Sequence, residues 1–223
     1  MAYSKNLAKK YATNRNKYRS SDKMLLPFLK KVGIKNRVIL DFGCGDGPES
    51  EKFLGMKANK VVGVDPSGEM IRLAKLRKLN GATFIKTDGN ILSLKSNEFD
   101  LVYSRFVLHY IKDLKSQFLE ISRVLKPKGY FLALFQSLTD NPKFINKTVP
   151  IILGKDKNAT KIKILSKSVD DIRNDLMKAE LKIIKFIEVK NTDAHIDPKY
   201  KNKYNFKNKT YIVFAQNSTS VAS

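Results

Sequence analysis

The chain has 223 residues, of which 42% are hydrophobic and 10% aromatic, so it can bury a substantial core and is not wholly disordered. It contains 43 Lys and Arg against 21 Asp and Glu, and this formal net charge of +22 invites a polyanionic partner. Only eight of the 43 cations are arginines, however, and the lysines are spread over every segment, which is more typical of compositional bias than of a phosphate-binding groove.

The numbers of cysteines and histidines, together with the hydropathy of the chain, exclude several other classes of protein. Cys44 is the single cysteine and there are two histidines, so an internal disulfide and a Cys/His zinc site are excluded, and we predict no metal centre. No segment approaches the run of about 18 apolar residues that a membrane span needs, and the first ten residues lack the apolar core of a signal peptide. We therefore expect a cytoplasmic protein without membrane contacts.

The first two thirds of the chain alternate between strand and helix patterns. Residues 1–31 are basic with helically spaced apolar positions, and they predict an N-terminal helical cap. Short apolar runs predict five strands, at 37–41, 60–65, 82–87, 99–104 and 130–135. Amphipathic spacing predicts helices at 49–54, at 67–79, and from about residue 114 to 125. This alternation favours a mostly parallel sheet covered by helices on both faces.

The last third breaks the alternation. Ser168 followed by Asp171 resembles a capping box and predicts a helix to about residue 179. Two consecutive strands, 182–189 and 210–216, have no helix between them and must be antiparallel. The fold class is therefore α/β, a doubly wound seven-stranded mostly parallel sheet that ends in an antiparallel β-hairpin. We assign residues 32–216 to this domain and 217–223 to a flexible tail.

A glycine-rich loop follows the first predicted strand, where ligands bind in a doubly wound sheet. Residues 41–47 read DFGCGDG, and glycines permit a tight turn and a close approach of the backbone to a ligand. Asp65 ends the second strand, at the usual place for a carboxylate that binds ribose hydroxyls. Loop and acid together predict a nucleotide-like ligand.

At these positions the sequence resembles the class I S-adenosylmethionine-dependent methyltransferases, in particular their type 11 domain subfamily. The resemblance covers roughly residues 36–136 and rests on VILDFGCGDG at 38–47, VVGVD at 61–65, TDG at 87–89, FDLV at 99–102, VLHY at 107–110 and EISRVLKPKG at 120–129. It implies a Rossmann-like methyltransferase fold and S-adenosyl-L-methionine as the cofactor.

The resemblance also implies a set of cofactor-binding residues. The methionine and ribose portions would lie against the loop, with Asp41 toward the amino-acid end and Asp65 on the ribose hydroxyls. Asp88 would accept from the adenine amino group, and the backbone at Ser104 would face the methionine ammonium. The full set is Asp41, Gly43, Cys44, Gly45, Gly47, Asp65, Asp88, Gly89 and Ser104, with Tyr11 and Arg19 of the cap closing over the cofactor.

Several of these residues have structural alternatives. Asp41 could simply brace the loop, and Cys44 could be a small residue in a tight turn. Asp100, at the start of a strand, is typical of a turn or cap. His109 is the leading candidate for a general base, but it could equally pack at a helix start.

The sulfonium activates its own methyl group, so the enzyme mainly aligns the acceptor, and neither a metal nor a catalytic triad is needed. We expect methyl transfer to a small-molecule acceptor. Transfer to a structured RNA such as tRNA, suggested by the charge, and a cofactor-binding module without turnover are the alternatives. A dinucleotide oxidoreductase is disfavoured because the G-x-G-x-x-G spacing is absent.

Overall fold

The computed structural model describes residues 22–88, 93–137, 148–153, 160–189, 194–196 and 209–219. Its α-helices are α1 Asp22–Val32, α2 Pro48–Gly55, α3 Gly68–Lys75, α4 Leu114–Val124 and α5 Val169–Lys178. Its strands are β1 Val38–Phe42, β2 Lys60–Asp65, β3 Ala82–Lys86, β4 Phe99–Arg105, β5 Leu125–Ser137, β6 Thr148–Leu153, β7 Thr160–Leu165, β8 Leu181–Val189, β9 Ala194–Ile196 and β10 Lys209–Asn217. None of the described helices is long and apolar enough to cross a membrane.

The main sheet has seven strands in the order β3-β2-β1-β4-β5-β10-β8. The first five are parallel, and β10 is antiparallel to both β5 and β8. The predicted fold class is therefore confirmed, including the antiparallel pair that ends the sheet. β2 and β3 lie on one side of β1, and β4 and β5 lie on its other side, so the order in which strands are added to the sheet reverses at β1. The carboxyl end of β1 is therefore the expected ligand position.

Both faces of the main sheet are buried, which explains its continuous apolar strands. Alternate residues of β1 and β2, such as Ile39 and Val61, pack with Leu25 and Leu29 of α1 and with Phe53 of α2. The opposite face packs against α4 and α5. α1 thus contributes to the core of the same domain, while residues 1–21 of the predicted cap lie outside the described residues.

Asp100 fixes the amino end of the central strands. Its carboxylate accepts a hydrogen bond from Val38 N–H at 2.8 Å and forms ion pairs with Arg37 and Lys126. Although partial burial would raise the pKa of Asp100, the Val38 and Lys126 contacts hold it below its ordinary value. This residue lies at the sheet edge opposite to the glycine loop, and its role is structural.

A second sheet was not predicted. Strands β6, β7 and β9 pair in the antiparallel order β7-β6-β9, within segments where the sequence pattern predicted no strand. β7 contacts the 3₁₀ turn Leu108–Tyr110, which follows β4. The second sheet therefore lies beside the carboxyl edge of the main sheet.

The boundary predicted for the tail was wrong by a few residues. β10 runs through Asn217, whose buried side-chain amide donates to the backbone carbonyls of Ser122 and Leu125. Ser218 N–H then donates to the carbonyl of Glu180. These hydrogen bonds satisfy the buried amide of Asn217 and the backbone N–H of Ser218. They therefore attach residues 217 and 218 to the domain.

Candidate functional site: a cavity at the carboxyl edge of the sheet

A cavity of about 620 Å³ opens at the carboxyl ends of β1 to β4. This volume is within the range of about 300–1,000 Å³ that is usual for small-molecule and cofactor sites. Four of the predicted residues line it, and further lining comes from the segment after β4 and from the first turns of α4. The predicted residues in the lining are Gly43, Gly45, Asp65 and Asp88.

The glycines of the loop have different roles. A side chain on Gly43 would overlap with Val107, and the φ of 78° at this position disfavours other residues, so Gly43 lets β1 and the segment after β4 approach each other. Gly45 instead faces open space, where the nearest atom to an added Cβ would be Met70 Sδ at 4.0 Å. Gly45 therefore leaves room for a ligand, whereas Gly43 serves packing.

The loop is held rigidly from both sides. The N–H groups of Gly43 and Cys44 both donate to the carbonyl of Val64, at 2.8 and 3.0 Å. Arg77 forms an ion pair with Asp46 at 2.8 Å and also bonds to the backbone carbonyl of that residue. The loop is thus preorganised by contacts that leave its ligand-facing side uncovered.

Cys44 and Gly47 do not reach the cavity lining. Cys44 is buried, and burial, together with the negative charges of Asp41 and Asp65, raises the pKa of its thiol. Gly47 precedes α2 as its N-cap and lies against Phe84. Both residues support the shape of the loop.

Asp65 is bound to its own backbone surroundings. One carboxylate oxygen accepts from Gly45 N–H at 3.0 Å and the other from Ser67 N–H at 2.8 Å. Burial raises the pKa of Asp65, and the two backbone hydrogen bonds counteract part of that rise. Each carboxylate oxygen can accept a further hydrogen bond, and Asp65 lines the cavity.

Asp41 lies behind the loop and does not line the cavity. Ser50 Oγ donates to its carboxylate at 2.6 Å, which joins the end of β1 to α2. Burial, with the like charges of Glu49 and Asp65 as smaller contributions, raises the pKa of Asp41 to about 7. This geometry is the bracing arrangement that the sequence left open beside cofactor binding.

Ser104 and His109 are fully or almost fully buried and are not part of the lining. Ser104 pairs with Phe42 across β4 and β1, and no hydrogen-bond partner of its Oγ lies within the described part of the chain. His109 Nδ1 accepts from Gln136 N–H at 3.2 Å, and burial lowers the pKa of the imidazole to about 3. The geometry of His109 favours the packing alternative over that of a base.

Three predicted residues, Tyr11, Arg19 and Gly89, lie outside the described residues. The structure adds Arg105 and Gln117 to the lining, neither of which was predicted. Arg105 directly follows the FDLVYS strand pattern, so its position on the ligand edge could have been found from the sequence. Gln117 follows the helix N-cap Asp113 by four residues, so the sequence indicated only weakly that it would face the cavity.

Comparisons with known proteins agree with the fold and the loop. The fold matches the structure of an S-adenosylmethionine-dependent methyltransferase from Mesorhizobium loti with a TM-score of 0.65, at 20% identity, over 86% of this chain and 97% of that one. The main sheet thus has the Rossmann-like fold seen in that methyltransferase structure. Residues 40–133 match a family model described as "Methyltransferase domain".

Curated relatives cover only part of the sequence. The tRNA U34 carboxymethyltransferase of Cellvibrio japonicus is 30% identical over 131 residues, which are 56% of this chain and 39% of the relative. The malonyl-[acyl-carrier protein] O-methyltransferase of Hamiltonella defensa is 33% identical over 99 residues, 44% of this chain and 38% of the relative. This chain therefore spans about two fifths of the length of these relatives.

Proposed function

We propose that the protein binds S-adenosyl-L-methionine in the cavity and transfers its methyl group to a small-molecule acceptor. The observation that carries the proposal is that Gly45, Asp65 and Asp88, from three adjacent strand ends, line one cavity. The open face of Gly45 supports close backbone approach, and Asp65 supports binding of ribose hydroxyls. The bound cofactor supplies an activated methyl group, and the protein supplies alignment.

The residues present suit a cofactor of this charge. S-adenosyl-L-methionine carries a sulfonium and an ammonium. The carboxyls Asp41 and Asp65 both have raised pKa values, chiefly because burial disfavours their charged forms. A cationic ligand nearby stabilises both carboxylates. The proposed ligand therefore relieves an electrostatic cost that the fold maintains.

A small acceptor is supported by the lining itself. Apolar side chains such as Phe42, Val64, Phe106 and Ile111 form much of the wall, and cationic side chains are few despite the net charge of the chain. A phosphate backbone would be expected to meet several lysines or arginines at its site. The cation excess of the sequence is thus not concentrated at this cavity.

A structured RNA is the second candidate, favoured by the net charge of +22 and by the tRNA-modifying relative. The two acceptor classes can be separated by incubating the protein with radiolabelled S-adenosyl-L-methionine and with either the small-molecule or the RNA fraction of a cell extract. We expect label in the small-molecule fraction. Label confined to RNA would overturn the proposed acceptor class, and labelling of neither fraction would favour a binding module.

Cofactor binding is tested by calorimetry with S-adenosylhomocysteine. We expect the wild-type protein to bind it and Asp65→Ala to weaken binding about tenfold to hundredfold, since two charge-assisted hydrogen bonds are lost and partly replaced by water. Asp100→Ala is the matched control, because this carboxylate lies at the opposite sheet edge and should affect stability only. Unchanged affinity of Asp65→Ala would show that the acid is merely structural.

A further inference from the structure

Gln117 places an unpaired amide in the wall of the cavity. It is the fourth residue of α4, it is 8% exposed, and it belongs to the lining. In the ranges that the structure describes, its Nε2 makes no hydrogen bond. A buried N–H donor without a partner is costly and rare in folded proteins. Because this side chain borders a cavity of about 620 Å³, a bound molecule can supply the missing partner.

The neighbours of Gln117 in the lining are paired within α4. Asp113, Ser116, Gln117 and Glu120 recur at helical spacing, and all four line the cavity. Ser116 donates its N–H and its Oγ to the carboxylate of Asp113, at 3.0 and 2.7 Å. Glu120 forms an ion pair with Arg123 at 2.8 Å. Gln117 differs from these neighbours because its amide nitrogen is available to a ligand.

This side of α4 faces the connection between β3 and β4. Arg123 continues the stripe by one position, and it donates to the carbonyl of Leu94 at 3.0 Å and to Ser96 Oγ at 2.9 Å. Leu94 and Ser96 both belong to that connection. Asp88, which follows β3, lines the same cavity. The amide of Gln117 therefore belongs to the part of the wall between α4 and the end of β3.

The proposed cofactor extends its base toward this part of the wall. β2, with Asp65 at its carboxyl end, lies between β1 and β3. With the ribose at Asp65 and the methionine portion at the glycine loop after β1, the base lies on the other side of the ribose, toward β3. The adenine ring nitrogens N1, N3 and N7 each carry a lone pair and no proton, so each can accept a hydrogen bond from an amide N–H.

We propose that Gln117 recognises the base of the cofactor by donating a hydrogen bond from Nε2 to a ring nitrogen of adenine. This inference rests on the proposed function, because it takes S-adenosyl-L-methionine as the ligand. A site that holds a buried donor rejects a ligand without the matching acceptor atom, since the donor then stays unpaired in the complex. Gln117 is thus a residue that determines specificity for the base.

Two variants separate the amide donor from the shape of the side chain. Gln117→Met keeps the length and removes the donor, and Gln117→Glu keeps the shape and replaces the amide nitrogen with an oxygen. Gln216→Met is the matched control, because Gln216 Nε2 donates to the carbonyl of Lys128 at 3.1 Å and lies outside the cavity lining. Urea denaturation establishes that each variant is folded before its binding is measured.

Calorimetry compares S-adenosylhomocysteine with its 1-deaza, 3-deaza and 7-deaza analogues, in each of which a C–H group replaces one ring nitrogen. We expect both Gln117 variants to bind S-adenosylhomocysteine about tenfold more weakly than the wild type, because one buried hydrogen bond is lost. The difference between wild type and Gln117→Met should persist for two analogues and disappear for the third, which lacks the nitrogen that accepts from Nε2. Gln216→Met should bind all four compounds as the wild type does.

Two results would overturn the inference. One is equal affinity of the wild type and Gln117→Met for S-adenosylhomocysteine. The other is a loss of affinity that persists for all three analogues, because the lost contact would then not involve a ring nitrogen. Failure of the wild type to bind S-adenosylhomocysteine would instead overturn the proposed function.

Discussion

Two buried titratable residues, Asp41 and His109, should give the stability of this protein opposite dependences on pH. Burial raises the pKa of Asp41 from 3.8 to about 7 and lowers the pKa of His109 from 6.5 to about 3. Each residue therefore binds protons differently in the folded and unfolded states, and stability must change wherever the two states differ. Asp41→Asn and His109→Asn remove these contributions one at a time.

For Asp41 the folded state binds the extra proton. The folded pKa lies above the unfolded value, so the free energy of unfolding rises as the pH falls from about 7 towards 4. Between pH 8 and pH 5 the gain is about 2–3 kcal/mol, at 1.36 kcal/mol for each unit of pKa difference. Asparagine can still accept the Ser50 hydrogen bond but does not titrate.

For His109 the unfolded state binds the extra proton. Its folded pKa is below the unfolded value of 6.5, so the free energy of unfolding falls as the pH drops through 6.5, by about 2 kcal/mol between pH 8 and pH 5. An asparagine oxygen can replace Nδ1 as the acceptor for Gln136 N–H. In the wild type the two contributions nearly cancel.

Urea denaturation at pH 8 and pH 5 measures these effects as the change in unfolding free energy between the two pH values. The change is taken as the free energy of unfolding at pH 5 minus that at pH 8. We expect it to be lower than in wild type by about 2–3 kcal/mol in Asp41→Asn, and higher than in wild type by about 2 kcal/mol in His109→Asn. Comparing variants cancels the contributions of all other groups. The reasoning is refuted if Asp41→Asn has the pH dependence of the wild type.

Two further predictions concern the cavity. Gln117→Met should raise the stability of the free protein by about 1 kcal/mol and reduce the thermal shift caused by ligand. The reason is that Gln117 lines the cavity, is only 8% exposed, and has no partner for its Nε2 among the described residues. Destabilisation in urea would contradict this prediction. Gly43→Ala should lower stability more than Gly45→Ala, because only an alanine at position 43 would overlap with Val107. Gly45→Ala should remain folded but lose affinity for S-adenosylhomocysteine. Calorimetry on both variants checks this contrast.

The main sheet was predictable from the sequence because its strands are short apolar runs between charged or glycine-rich segments. β2 begins and ends where predicted, at Lys60–Asp65, and the glycine loop follows β1 as expected. Helix α5 also begins where predicted, since Ser168 Oγ accepts from Asp171 N–H at its N-terminus. These features depend on local sequence, which is why local patterns were sufficient to find them.

The second sheet could not be found in the same way. β6 contains Pro150, which argues against an interior strand, and it pairs with β9, which lies about 40 residues further along the chain. The alternation of Lys and Ile in β7 was the one local signal. Pairing between such distant segments is decided by tertiary context and not by propensity.

The roles of individual site residues were limited by the same distance problem. The sequence places Arg105 at the end of β4 but cannot show that Glu49, 56 positions earlier, forms its ion pair. Likewise, the sequence leaves His109 open between base and packing, and only the distant Gln136 N–H and the burial of the ring distinguish the two. The local sequence therefore predicts which residues lie at the ligand edge of the sheet. It does not predict which of their side chains are buried or paired with distant residues.

The aspartates at the two edges of the sheet show how the fold separates stability from ligand binding. At the amino edge, Asp100 contacts Arg37 and Lys126, and its pKa lies below the ordinary value, so its negative charge stabilises the folded state. At the carboxyl edge, Asp41 and Asp65 are more deeply buried and both have raised pKa values. There the ionised state is maintained at a cost, which a positively charged ligand would reduce. A nearby lysine would remove that cost in the free protein and, with it, the electrostatic preference for a sulfonium cofactor at this edge.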